Sequence, residues 1–566
     1  MSNKMRWLVI AVHGFLVGLR KDLYRATRNA PDARGSQGRL WLVGHLLCNA
    51  LMGMLTGMRS LRAVETLTEV AGGGKVGTLG GRRMPDNTLH GFLEVCGEST
   101  VKWVLARLAH IWHRSKRLIP VHGFKIAGKV PHVLAYDGKQ FMQTELEQPA
   151  PYHRKSTISH KTVAGKRVKT KAYYWAVDIV RCVLVSSAAN VCLGLQVVNK
   201  GHEVKAVREL DAEMHQEHRW LQKGPVLVLA DARHGNKGFV KQQGDPYGEL
   251  LDTGHQHYYV LKVKGVAGEL YKEGMRATKK KAALKQPEAT TDFENVGHGR
   301  RIKRELWRVD TNLARGVLQE NACKLNDGAD LAILSEKDWP TVRQVLLVKQ
   351  TTIHKQPPRK GRKRGPDKQR KNVRRRPARK ERTTVEWRLA ITNIKRDDAS
   401  ARALLHFIRM EWGIEVYHNL LDQVIKEDDQ EWARQRQAPV ALAGLHSVAA
   451  NILGLLKMRY LRSERNRDSL SYPQLVTIIM LVIGGARVGR ILAANQGSQK
   501  DESPLTPETE DQFAKRWSEA EFGELMLAIK ILFNCVLSHF RHLHQVSVHL
   551  TADMTSGTTE MRLTTV

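Results

Sequence analysis

The sequence predicts an α/β fold: one core of short strands and helices, broken by an inserted, partly β segment and flanked by N- and C-terminal helical regions. Three observations carry this reading. Short apolar runs with strand character cluster between Pro131 and Val263, helical spacing dominates before and after them, and the run Glu386–Ile394 resumes strand character only after a long, polar intervening stretch. At 566 residues, 42% of them apolar, the chain is long enough to bury several ordinary cores.

Residues 1–125 read as helical. Leu40 to Leu55 is apolar on most sides, and a helix with one polar face follows around Ser60–Val70. Gly72-Gly73-Gly74-Lys75 ends it as a flexible connection; a phosphate-binding loop is excluded because Val76 holds the Ser/Thr position and no strand precedes the glycines. Met1 to Leu19 imitates a secretion signal through Lys4, Arg6 and the apolar run from Trp7, but His13 interrupts it and no small-residue cleavage site follows.

From Pro131 the order is strand 132–137, strand Tyr173–Leu184, strand Cys192–Asn199, a helix from about His202 to Trp220, a strand at 226–231 and another at His257–Val263. Three strands, a helix and a strand is the order of a ribonuclease-H-like core, in which the first and fourth strands lie side by side. Residues 270–383 form the insertion, with strands around Arg301–Val309 and Gln344–Lys349. Glu386–Ile394 returns the chain to the core, and Ser400 is placed to cap the next helix, marked by Leu404, Leu405, Ile408 and Trp412. After Ala438-Pro439, Leu442, Leu445, Val448, Ile452 and Leu455 mark a buried helix; residues 470–545 continue as helices and the tail from Thr551 reads as frayed. The divisions are therefore 1–125, 130–269, 270–383, 384–430 and 431–566.

Charge points to a polyanionic partner. Lys and Arg number 91 against 56 Asp and Glu, a net charge of +35 with a pI near 10.0. Fifteen of those cations fall within Lys355–Arg382, among Pro357, Pro358, Pro366 and Pro377, with two acidic residues. Such a segment buries no apolar face and is suited to phosphate contact. The six cysteines show no Cys-x-x-Cys spacing, which argues against a zinc site and against a disulfide framework, and fits a reducing cytoplasm. No stretch reads as a membrane span; Leu475–Ile483 is too short. His215-x-x-His218 and the group His539, His542, His544 and His549 read as packing or surface histidines before metal ligands.

Three carboxylates stand out. Asp137 ends Val-Leu-Ala-Tyr-Asp (133–137), Asp231 ends Val-Leu-Val-Leu-Ala-Asp (226–231), and Glu415 lies on a helix in Trp-Gly-Ile-Glu (412–415). Two strand-end Asp and one helical Glu can converge on a pair of divalent cations, as displacement at phosphorus needs. His418 and Asp422, one and two turns beyond Glu415, fall on nearly the same face and are placed to orient a ligand or touch substrate. Trp412 is expected to pack in the core.

The surrounding motifs resemble those of the DDE transposases of bacterial insertion sequences, specifically the ISAs family with its H-repeat-associated relatives. The resemblance rests on Asp137-Gly138-Lys139, Lys200-x-x-Glu203, Asp231-Ala232, Tyr259-Val260-Leu261-Lys262-Val263-Lys264-Gly265 and His298-Gly299-Arg300. It closes on Trp412-Gly-Ile-Glu415, His418, Leu421-Asp422, Glu427-Asp428, Arg434 and Ala438-Pro439, and spans about residues 30 to 457 with Asp32-x-Arg34, Thr56–Ser60 and Arg82–Leu89. Departures are Val416 and His202 where the family has Asn, and Asp422 where related families carry a DNA-gripping Lys.

The resemblance implies a metal-dependent transposase that cleaves and transfers strands in a cut-and-paste reaction, with Asp137, Asp231 and Glu415 holding two Mg²⁺ ions for which Mn²⁺ can substitute. The partners are double-stranded DNA, as transposon ends and target, and a second copy of the chain on that DNA, in the cytoplasm of a bacterium at the nucleoid. Residues 1–125 are expected to bind DNA, with phosphate contacts from Lys139, Lys262 and Lys264 near the site and from Arg362, Lys363, Arg364, Arg374, Arg375 and Arg376 in the basic segment. The alternatives are an inactive or domesticated DNA-binding descendant and a ribonuclease-H-like nuclease.

Overall fold

The computed structural model describes residues 3–34, 41–71, 84–163, 166–198, 202–230, 257–263, 286–295, 300–309, 342–354, 381–427, 432–435, 438–463, 472, 475–476, 478–479, 546–552 and 559–565. It is a mixed α/β structure. Four helices open the chain: α1 (Asn3–Thr27), α2 (Val43–Leu55), α3 (Leu61–Ala71) and α4 (Asp86–Arg114). Val12, Phe15, Leu16, Leu19 and Leu23 of α1 are buried, so the apolar run that imitates a signal belongs to the core. Gly72–Lys75 lies outside the described residues.

The sheet follows: β1 (His132–Thr144), β2 (His153–Val163), β3 (Lys166–Leu184), β4 (Val191–Val197), helix α5 (Glu203–Glu217), β5 (Val226–Ala230) and β6 (His257–Val263). β1 pairs antiparallel with β3, β3 antiparallel with β4, β1 parallel with β5, and β5 parallel with β6. Val226–Ala230 is buried at every position, as a central parallel strand covered on both faces must be. The strands between 286 and 392 do not form a separate layer. β7 (Ala289–Thr290), β8 (Glu294–Asn295), β9 (Arg300–Val309), β10 (Gln344–His354) and β11 (Arg382–Thr392) extend the same sheet, with β11 antiparallel to β6, then β10, then β9, and the two short strands on β9.

Two features differ from the expectation. β1 and β3 run well beyond their apolar segments, and β2, which the residue pattern does not mark, pairs with the first half of β3. The β3 extension and β2 are largely polar, and the β1 extension has only Phe141 and Met142 as buried apolar residues, adjacent and therefore without alternation, so hydrophobic patterning does not reveal them. Of the tail expected to fray, the described residues are strands: β12 (Val546–Ala552) and β13 (Thr559–Thr565) pair antiparallel.

Helices α6 (Ala401–Met410) and α7 (Trp412–Leu420) lead into a π-type turn, Leu421–Ile425, and α8 (Ala438–Ser463) follows. Ser400 caps α6 as expected, its side chain accepting from Ala403 N at 3.1 Å. Ala438–Met458 is long and apolar enough to cross a membrane, yet all of it is buried within the protein. Its Gly444 makes this possible: a Cβ there would run into Val101 of α4, so only glycine lets the two helices approach so closely. Cys48, Cys182 and Cys192 are buried and outside any disulfide, and burial pushes the Cys48 thiol up to about 12.

Packing this dense also buries imidazoles. Burial lowers His132, His218, His406 and His446 to about 4. Between that value and the ordinary ~6.5 the unfolded chain binds more protons than the folded one, so their stabilisation is complete above about pH 6.5 and is lost as pH falls toward 4. Urea unfolding at pH 7, 6 and 5 is expected to show a midpoint that drops at each step, with a shallower drop in His446→Gln. A midpoint unchanged down to pH 5 would contradict this account of the buried histidines.

Candidate active site at the end of the parallel strands

Strand alternation decides what each residue near Asp137 can meet. Tyr136 is the last β1 residue in register with β5, opposite Ala230. Asp137, one step beyond, is in register with Arg181 of β3. Asp137, Lys139 and Arg181 share one face of the sheet, covered by α7, the π-type turn and α8; Tyr136 and Gly138 share the other, covered by α5.

On the first face, α7 is brought against the sheet by its own second residue. A Cβ on Gly413 would lie 2.9 Å from Val185 Cγ1, so glycine permits the helix to settle on the turn between β3 and β4. Ile414 and Tyr417 are buried beneath it, and the Tyr417 hydroxyl donates to Ser447 O at 3.0 Å. Glu415 consequently lies on the solvent side of α7, where it is exposed. One turn later His418 Nδ1 lies 3.5 Å from Asp137 Oδ2. Burial, then the charges of Arg181 and Lys139, lowers His418 to about 3, so beside Asp137 it is a neutral imidazole at neutral pH. The Asp137 carboxyl is one-third exposed.

Behind this rim is a buried ionic cluster. Glu427 is fully buried, ion-paired with the equally buried Arg181 and 3.1 Å from Lys139 Nζ. Burial opposes the charge on Glu427, but Arg181 and Lys139 outweigh it and hold the carboxyl below its ordinary value. Arg181 Nε also donates to Ser447 Oγ at 3.1 Å on α8. Lys139 makes a second ion pair with Asp422. Lys426 reaches the turn into Glu427 in the left-handed region, φ 59°.

On the opposite face stands Glu203, first residue of α5. A Cβ on Gly138 would lie 2.9 Å from Glu203 Oε1, so the glycine beside Asp137 makes room for this carboxylate. His202, in the usual Asn position, makes no side-chain cap on α5, and Val416 is exposed.

The structure thus brings together Asp137, His418 and the helix that carries Glu415, with Asp422 tied to Lys139. Asp231 follows Ala230 directly in the sequence but lies outside the described residues, as do Lys264, Arg362, Lys363, Arg364, Arg374, Arg375 and Arg376. Lys262 is ion-paired with Glu411 at 2.5 Å, so either Lys139 or Lys262 would have to exchange a carboxylate for a phosphate to contact DNA. Trp412 is not in the core; it is 39% exposed, because Gly413 and Ile414 take the contacts with the sheet. Sequence reasoning gives no role to Arg181, Glu203 or Glu427. A charged residue inside the apolar run Ile179–Val185 is the signal that finds Arg181, since an arginine there must be paired.

Asp137 is an oxygen donor partly open to solvent at this strand end, of the kind that a hydrated divalent cation takes as a ligand. No protein-family model matches the chain, and no curated protein matches it.

Removing one member of the buried pair leaves an uncompensated charge, at a cost of about 3–5 kcal/mol, whereas replacing both with apolar groups restores much of it. Arg181→Met is therefore expected to lower unfolding stability by that order and Arg181→Met/Glu427→Leu to be more stable than either single variant, as read by urea denaturation. Additive losses in the double variant would show that the two charges do not depend on each other.

Proposed function

We propose that the chain is a DNA transposase of the DDE type, cleaving and joining strands at a site formed by Asp137, Asp231 and Glu415. One observation carries the reading: Tyr136 and Ala230 are paired on adjacent parallel strands immediately before Asp137 and Asp231, and α7 lies against that strand end with His418 on Asp137. The strand order β4-β3-β1-β5-β6, antiparallel then parallel, with α5 after β4, supports a ribonuclease-H-like core. Of the motifs that resemble the ISAs family, Asp137-Gly138-Lys139 falls on β1, Glu203 on α5, Tyr259–Val263 on β6 and Trp412–His418 on α7.

Asp137, Asp231 and Glu415 would hold two Mg²⁺ ions, which when bound lower the barrier to attack of water or a 3′-hydroxyl on phosphorus and stabilise the leaving oxygen. Within the chain, neutral His418 fixes the orientation of Asp137 without neutralising it. The Arg181–Glu427–Lys139 cluster holds α7 and the following turn at a set distance from β1. Transposon ends come in pairs, so two copies of the chain assembled on DNA complete the reaction.

A basic ribbon supports a duplex partner. Thr144 and Trp175 are the last residues paired between β1 and β3, and beyond them β2 and β3 pair with each other. From Arg154 to Tyr174 the ribbon carries Arg154, Lys155, Lys161, Lys166, Arg167, Lys169 and Lys171 and no acidic residue. Tyr173 is half exposed with the Arg154 guanidinium 3.9 Å above its ring. A two-stranded ribbon fits the major groove and its cations suit phosphates, although Lys155 at its base is ion-paired with Asp178.

Asp137→Asn, Asp231→Asn and Glu415→Gln are each expected to abolish cleavage of a labelled terminal-repeat duplex with Mg²⁺ or Mn²⁺ while leaving its binding intact, and chelation of the wild type to do the same. Cutting at the wild-type rate by any one variant removes that residue from the site. For the ribbon, replacing Lys161, Lys166, Arg167 and Lys169 with Gln should flatten the log-affinity against log-salt slope by about 0.9 for each phosphate no longer neutralised. An unchanged slope would place the duplex elsewhere.

A further inference from the structure

On the α5 face, away from Asp137, three side chains converge that the transposase reading does not use. Asp211 and His215 lie one turn apart on α5 and are buried; His257 opens β6. His215 Nε2 and His257 Nε2 face each other at 3.1 Å, and His215 Nε2 lies 3.8 Å from Asp211 Oδ1. All three ligand atoms lie within 4.8 Å of one another. Tyr136 donates to Asp211 Oδ1 at 2.6 Å and so fixes the carboxylate. The main chain behind each histidine is held as well: Gln222 Nε2 donates to His215 O at 2.9 Å, and Asn393 Nδ2 to His257 O at 3.0 Å.

We propose that Asp211, His215 and His257 bind one transition-metal dication of the zinc type. Tetrahedral coordination with bonds of about 2.0–2.2 Å separates neighbouring ligand atoms by roughly 3.3–3.5 Å, and the separations of 3.1 and 3.8 Å bracket that value. Two imidazoles and one carboxylate are the donors such an ion prefers, and the hydrogen bond from Tyr136 supplies the outer partner that metal-bound carboxylates usually have. Without an ion, the two Nε2 atoms share a single proton in an N–H···N contact. With an ion, both become ligands and α5 is tied to β6 across β5 and β1. His257 is in register with Val226 and, through it, His132, at the end of the parallel strands away from Asp137, so the ion would reach the candidate active site only through Asp211 and Tyr136, without taking part in its chemistry. His218, its neighbour in sequence, is not a member: its ring is buried 5.7 Å from that of Trp220.

The metal site stands independently of the transposase reading, and its test needs no DNA. The full chain, stripped with a chelator and dialysed, is titrated with Co²⁺ and separately with Zn²⁺. Expected are one tetrahedral ion per chain, read from the intense visible absorption of cobalt and its displacement by zinc, and a rise in Tm with Zn²⁺; ions held by the oxygen ligands around Asp137 absorb only weakly. His215→Ala, His257→Ala and the isosteric Asp211→Asn, which can still accept from Tyr136, should lose the cobalt spectrum and the zinc-dependent rise, whereas Asp137→Asn should keep both. No tetrahedral spectrum in the wild-type chain overturns the proposal whether or not any variant folds. So does zinc stabilisation that survives in Asp211→Asn and His257→Ala, since the ion would then sit on other histidines.

Discussion

The fully buried ion pair between Arg181 and Glu427 is the constraint on which the candidate site depends. Arg181 belongs to β3, at the position in register with Asp137; Glu427 comes from the segment after α7, far away in sequence. A charge pair without water is stable only when its geometry is satisfied, so it does not tolerate drift of α7 along the sheet. Lys139 adds a third charge from β1, and Ser447 of α8 takes the remaining side of the guanidinium. Four chain segments are thereby locked at one point directly behind Asp137.

The close approaches at glycine work in the same direction. Gly413 lets α7 sit on Val185, Gly138 admits Glu203 next to Asp137 in β1, and Gly444 lets α8 pass against α4. At Gly413 and Gly444 a side chain would push the packed elements apart, and at Gly138 it would displace the Glu203 carboxylate. The outcome is a rim that is exposed at Glu415, partly open at Asp137 and dry immediately beneath, where His418 stays neutral. That contrast of solvated carboxylates over a rigid base is what a site for a hydrated dication and a phosphodiester needs.

Much of the architecture was legible from residue pattern. The apolar runs at 132–137, 226–231 and His257–Val263 became β1, β5 and β6, and Ser400 capped the helix it was placed to cap, because burial and capping are local demands. The polar ribbon of β2 and β3 was not legible, since its sequence has no alternation of apolar and polar residues to read. Nor could local pattern tell that β9 and β10 extend the core sheet, which is a long-range pairing through β11. At the site, Asp137 was visible as a carboxylate closing an apolar run and Glu415 as one on a helix, whereas Glu203 and Glu427 gain their meaning only from what folding brings next to them.

A crystal grown with Mn²⁺ and measured at an anomalous wavelength tests the central idea most directly. Manganese peaks bounded by the carboxylates of Asp137, Asp231 and Glu415, with Glu427 still paired to Arg181 beneath, are the expected result. Peaks elsewhere, or Glu415 pointing away from Asp137 with the ion present, would contradict the convergence of the three carboxylates on one site.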